Sequence, residues 1–163
     1  SGRVLGEKFY SDGQSHLVHS FSPLDVIGLE TIFSSGKRSP ITYLAAEETC
    51  LLLFSRTIVE RQSVIPLKLQ MKIKDNMIRI LADENIKSMY KLEVLSRRSL
   101  RSRIMTFLRI MEKKSGEKTF HIGMDRERFA RYLCVNRSAL SYELSQMQKD
   151  GLIRFEKDLF TIL

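Results

Sequence analysis

The sequence predicts an α+β chain in three parts: an N-terminal antiparallel β-roll over residues 1–65, one long helix over 66–95, and a winged helix-turn-helix over 96–163. Three observations predict it. Short β-branched and aromatic runs alternate with turn residues early in the chain. After Pro66 about 30 residues pass without Gly or Pro. Near the C-terminal end two amphipathic helical patterns, each behind a capping residue, are separated by a very short turn.

Composition narrows the function classes. At 43% hydrophobic residues the chain can bury real cores and is not a disordered basic tail. Its two cysteines, Cys50 and Cys134, are too few and too far apart for a disulfide scaffold or a four-ligand metal site, which fits a reducing interior. No apolar run approaches the roughly 20 residues of a spanning helix, and no secretory signal opens the chain, so the expected setting is cytoplasmic, with no membrane partner. Of the formal charge of +8, little lies in the first two parts: residues 1–65 hold six Lys/Arg against seven Asp/Glu, and 66–95 hold six against four. Residues 96–163 hold fifteen against eight. That local excess suits a polyanion, an ordinary solvated basic surface being the other reading of charge alone.

In the first part, residues 16–21, 26–27, 41–45 and 50–54 carry strand character, with turns at Ser11-Asp12-Gly13, Ser22-Pro23 and Ser34-Ser35-Gly36. Asp12-Gly13 reads as a hairpin turn. Ser55 can cap a short helix, although Ile58 stands where a capping box needs an acid. In the second part Pro66 suits a first helical turn. Leu67, Met71, Ile78, Leu81, Leu92 and Leu95 form one stripe when Lys74, Asn85 and Ser88 fill the gaps, and Leu69, Ile73, Met77 and Ile80 mark an adjoining face. One face can rest on the strand domain while the other meets the same helix of a second copy, Asn85 disfavouring slipped registers.

In the last part Ser99 caps a helix to about Lys114, with Ile104, Phe107, Leu108 and Met111 inward and Ser115-Gly116 ending it; residues 119–122 make a short strand. Asp125 then caps a helix with Phe129, Ala130 and Leu133 inward, the small Ala130 allowing a second helix to approach closely. Cys134-Val135 turns the chain, and Asn136 caps that second helix, whose inward face is Leu140, Leu144 and Met147 and whose end is Asp150-Gly151. Two strands follow around Glu156-Lys157-Asp158, with Ile153, Phe155, Leu159 and Ile162 as the packed face. This constellation points to duplex DNA. Arg137, Ser138, Ser141 and Tyr142 are the candidate base readers, and Arg126, Asn136, Ser145 and Lys157 the candidates for the phosphate backbone. Arg97, Arg98, Arg101 and Arg103 flank the hinge, where phosphate contact and plain solubility are equal readings.

The run from Asp125 to Ser141, Asp-Arg-Glu-Arg-Phe-Ala-Arg-Tyr-Leu-Cys-Val-Asn-Arg-Ser-Ala-Leu-Ser, with Lys149-Asp150-Gly151-Leu152-Ile153 after it, resembles the helix-turn-helix signature of the cyclic-AMP receptor/FNR (Crp/Fnr) family of bacterial transcription regulators. The resemblance runs back through the long helix to the first residues. It implies a β-roll sensor of the cyclic-nucleotide-binding type, a dimerisation helix and a DNA reader; the first residues resemble the middle of that sensor, which implies that its earlier strands precede them. It matches Arg137 to the family's recognition arginine, whereas Ser138 and Tyr142 replace the usual glutamate and second arginine, so the family's common half-site is not expected. Gly28, Glu30, Arg38 and Ser39 resemble the cassette that holds ribose and cyclic phosphate, with Glu30 one position late and Pro40 where a small residue is usual. A cyclic nucleotide is therefore not the favoured ligand; another small-molecule effector, or none, remains open. The expected partners are a palindromic operator and a second copy of the chain, with room for a contact to RNA polymerase. Catalysis is not expected: His16 and His19 fall on opposite strand faces, His121 has no evident partner, and no nucleophile–base pair, phosphate loop or metal cluster emerges. The alternative is a small-ligand sensor or protein-interaction module that has lost specific DNA binding.

Overall fold

The computed structural model describes residues 1–13, 15–36, 38–59 and 65–163, the side chains of His16, Arg56 and Val59 falling outside that description. It divides into two units, Ser1–Ala82 and Asp83–Leu163.

In the first unit β1 (Val4–Phe9), β2 (Ser15–Phe21) and β3 (Thr42–Ala45) make an antiparallel sheet in the order β2-β1-β3. The expected hairpin turn is present: Gly13 N–H donates to the Tyr10 carbonyl at 3.1 Å, and Gly13 has φ +81°. Between Gly6 and Glu7 the register slips, β2 stepping from His19 to Leu17.

Two expected strands are corrected. Residues 26–27 are coil, because they are squeezed between a turn in which Asp25 both donates to and accepts from Ser22 and the left-handed Gly28 (φ +75°) that opens the five-residue helix α1 (Leu29–Phe33). Residues 50–54 are also coil. The Cys50 amide bonds to the Ser1 carbonyl, but Leu51, Leu52, Leu53 and Phe54 are exposed and join no ladder. Ser55 does cap, though only a 3₁₀ turn (Arg56–Val59), accepting from Thr57 N–H at 3.3 Å.

Helix α2 (Leu67–Leu95) starts directly after Pro66, whose carbonyl accepts from Leu69 and Gln70. With 29 residues it is about 43 Å long. Along the anticipated stripe Leu67, Ile78 and Leu92 are 70%, 63% and 70% exposed, and Met71 is exposed with them.

The second unit holds the end of α2, then α3 (Leu100–Ser115), β4 (Thr119–His121), α4 (Arg126–Tyr132), α5 (Arg137–Lys149), β5 (Ile153–Glu156) and β6 (Leu159–Ile162). The caps fall where the sequence puts them. Ser99 accepts from Ser102 N–H, Asp125 from Arg128 N–H at 2.7 Å and Asn136 from Ala139 N–H at 2.7 Å. Helices α4 and α5 both end in paired carbonyl-capping bonds, Val135 to Ala130 with Cys134 to Arg131, and Leu152 to Met147 with Gly151 to Gln148. The left-handed position is Gly151 in one case and Cys134 (φ +57°) in the other.

One core unites these elements: Ile104, Phe107 and Leu108 of α3, Phe129, Ala130 and Leu133 of the α4 region, Leu140, Leu144 and Met147 of α5, and Val94 at the end of α2. The wing is a three-stranded sheet in the order β4-β6-β5 rather than a two-stranded ribbon. Its inner face is also corrected. Phe155 pairs with Phe160 and Ile153 with Ile162, so Phe160, wholly buried, takes the place expected for Leu159, which pairs with Glu156. A chain of rings then runs from Phe155 through Phe160, Phe129 and Phe107 to Tyr132, with centroids 4.8–6.1 Å apart.

Phe160→Ala is expected to cost about 3–5 kcal/mol, against about 1 kcal/mol or less for Leu159→Ala, measured by urea unfolding; equal losses would mean that the wing register is different. By the same measurement Asn136→Ala should cost about 1 kcal/mol.

Candidate nucleic-acid interface

The face that α5 leaves uncovered begins at its capped end. Arg137 and Ser138 are exposed in the first turn, Ser141 is half-buried, Tyr142 is 68% exposed and Ser145 is exposed. Two of the three serines are turned inward chemically. Ser138 Oγ donates to the Asn136 side chain at 2.9 Å, and Ser145 Oγ donates to the Ser141 carbonyl at 2.9 Å. Arg137 and Tyr142 thus carry most of the free reach of this face, while Asn136 is committed to its cap.

Arg126 lies at the start of α4 with its guanidinium 4.9 Å from the centroid of Phe155 and 6.0 Å from that of Phe160, donating to the Lys157 carbonyl at 3.4 Å. Burial against these rings lowers its pKa from the usual arginine value, and the positive charge of Arg137 lowers it further. An open cleft of about 520 Å³ is lined by Gly123, Met124, Asp125, Arg126, Lys157 and Asp158. Lys157, at the wing tip, is exposed and holds φ +52°. His121, for which the sequence offers no partner, pairs with Asp158 across the wing at 3.2 Å.

The hinge arginines are largely committed within the protein. Arg97 pairs with Glu93 at 3.8 Å, and Arg103 donates to the carbonyls of Arg97 and Leu133. Arg101 bonds to Glu143 through Nε and to Asp150 through Nη1, both at 2.6 Å. These two acceptors raise its pKa. Nothing in the local spacing of residues 97–103 signals a partner more than 40 positions away.

In the strand unit, the cassette residues Glu30 and Ser39 are brought together by a side chain that sequence reading missed. Tyr43 donates its hydroxyl to Glu30 Oε1 at 2.9 Å, and Ser39 Oγ lies 3.4 Å from that hydroxyl while donating to the Ile41 carbonyl at 2.8 Å. Burial raises the Tyr43 pKa; the Ser39 hydrogen bond opposes the rise and Glu30 adds to it. Gly28 serves as the left-handed start of α1, and Arg38 is exposed. Among the described residues no group of three His, Cys, Asp or Glu is placed to hold a metal ion, and no described helix is long and apolar enough to cross a membrane.

The comparisons agree with this geometry. The family model of the Crp-like helix-turn-helix domain matches residues 102–163. No curated protein matches the chain at a significant level. Among solved structures, FixK2 from Bradyrhizobium japonicum is 22% identical with a TM-score of 0.56 over 99% of this chain and 79% of its own. CLP, the c-di-GMP-responsive global regulator of Xanthomonas campestris, is 15% identical with a TM-score of 0.60 over 99% of this chain and 81% of its own. A CRP-family transcriptional regulator from Thermus thermophilus is 18% identical with a TM-score of 0.55 over 100% of this chain and 80% of its own. At such identities the likeness is one of fold. Residues 102–163 thus match the Crp-like helix-turn-helix domain, and the chain shares its fold with these solved regulators.

Proposed function

We propose that the chain is a sequence-specific DNA-binding transcription regulator that works as a homodimer, with residues 1–65 as sensor, 66–95 as dimerisation and coupling helix and 96–163 as reader. The observation that carries the proposal is the capped, outward face of α5, with Arg137 exposed at its first turn. A helix N-terminus entering the major groove sets first-turn side chains on base edges, and an arginine there can meet guanine O6 and N7 together. Tyr142 can contact a thymine methyl, and Ser141 is short enough to let the helix approach. Arg126 and Lys157 suit phosphates. A phosphate oxygen near Arg126 would relieve its repulsion from Arg137, whereas the committed Asn136 and Ser145 contribute by holding the helix.

Dimerisation is supported by the exposed stripe of α2. A side chain the size of Ile or Leu gains about 1.5–3 kcal/mol on full burial, and Leu67, Met71, Ile78 and Leu92 lie along one seam. A symmetric pair would read half-sites about 34 Å apart on a palindromic operator. Input at the strand unit, whether ligand, redox or protein, needs only to favour one arrangement of the two readers. The cytoplasm is where such a regulator meets its operator, and two free cysteines suit that compartment.

Arg137→Ala should weaken binding to a duplex selected from a randomised pool by about 1–3 kcal/mol, measured by fluorescence anisotropy, and no binding of the wild type to any duplex at low salt would end the proposal. Lys157→Ala should lower the salt slope of binding by about 0.9 without changing the preferred sequence. Ile78→Asp should convert the dimer to monomer in analytical ultracentrifugation while helix content by circular dichroism is retained.

A further inference from the structure

We propose that Arg101 is a positioning residue for base recognition: it sets the tilt and rotation of α5 on α3, so that the reading by Arg137 depends on an arginine that touches no DNA. The inference rests on the regulator reading above and names a residue that reading leaves unused.

Glu143 lies in the middle of α5 and Asp150 at its C-cap, seven residues apart and so on one face two turns apart, about 10 Å along the axis. Both carboxylates converge on one guanidinium at 2.6 Å. A single contact would let the helix pivot about it; a rigid fork held at two heights removes that freedom. The apolar layer beneath, Leu140, Leu144 and Met147, fixes how close α5 lies but is non-directional. The polar bridge supplies the direction.

The charges themselves argue for the bridge. Arg101 is the second residue of α3, where a cation is opposed by the helix dipole, and Asp150 ends α5, where an anion is opposed likewise. Each is unfavourable at its own helix end; Glu143 and Asp150 offset this for Arg101, and Arg101 offsets it for Asp150. Glu143, whose side chain is 21% exposed, is the better shielded of the two acids. Because α3 begins directly after the segment that leaves α2, a shift of its first turn is passed through Arg101 to α5.

The test is anisotropy binding of the full-length chain to the selected duplex and to a scrambled one, with thermal unfolding recorded for every variant. E143Q/D150N adds two units of positive charge. Electrostatics alone would therefore tighten binding to any duplex, whereas a lost bridge should weaken selected-duplex binding roughly tenfold and raise scrambled-duplex binding, with Arg101→Met giving the same loss of discrimination. Arg101→Lys, which keeps the charge but cannot fork to both acids, should recover only part of the discrimination. Should Arg101→Met not fold, E143Q/D150N decides. Discrimination unchanged in a folded E143Q/D150N overturns the inference. So does an Arg101→Met protein whose salt slope falls by about one with discrimination intact, since that marks a phosphate contact. A wild type that binds no duplex overturns the regulator reading and this inference with it, whereas a wild type that binds through Arg137 and ignores the Arg101 variants overturns only the inference.

Discussion

The close approach of α4 and α5 at Ala130 is the constraint on which the rest of the C-terminal unit depends. Ala130 is almost wholly buried in the core that also holds Leu140, Leu144 and Met147 of α5, and its single methyl group lets the two helices pack closely. A larger side chain there would push α5 outward, at a cost on the order of 1–3 kcal/mol, and would move Arg137 with it. The same packing fixes the wing. Phe129 meets Phe107 on one side and Phe160 on the other, so α3, α4 and the sheet are held by one chain of rings. The rings of Phe155 and Phe160 in turn make the platform under Arg126. The outward arginines therefore stand on a continuous apolar support.

Much of this was legible in the sequence, for a physical reason. Caps are local: Ser99, Asp125 and Asn136 bond to amides three residues on, and the apolar spacing of α3, α4 and α5 repeats within each helix. Relations between elements were harder to read. The choice between Leu159 and Phe160 turns on where the hairpin reverses. A two-residue turn at Lys157-Asp158 puts Glu156 opposite Leu159, and one residue of slip exchanges the faces. That β4 joins β6 is a pairing across about 40 residues, invisible to local pattern. The bridges of Arg101 to α5 and of Tyr43 to Glu30 are of the same kind, because nothing beside either residue announces its partner.

The strand unit shows the opposite failure, where local pattern promised too much. Residues 50–54 have the composition of a strand, yet composition gives only a side chain's preference for a pleated surface and not a neighbour to pair with. Residues 26–27 were too few between two turns, and the left-handed Gly28 was visible as a glycine but not as the start of a helix. Among its described residues the buried apolar ones are Val4 and Leu29.

The charged groups of the C-terminal unit divide the same way between support and readiness. Arg101 and Arg103 each bond to two protein acceptors, which ties them to the fold. Arg126 is desolvated by the wing rings, and the charge of Arg137 adds to the lowering of its pKa. Cys134 and Lys157, both with left-handed backbone where glycine would be unstrained, add smaller local costs at the helix turn and the wing tip. The buried rings and the Ala130 contact offset these costs. The proposed reading surface is thus the locally strained part of a well-packed domain, and strain of this kind persists only where surrounding structure over-determines it.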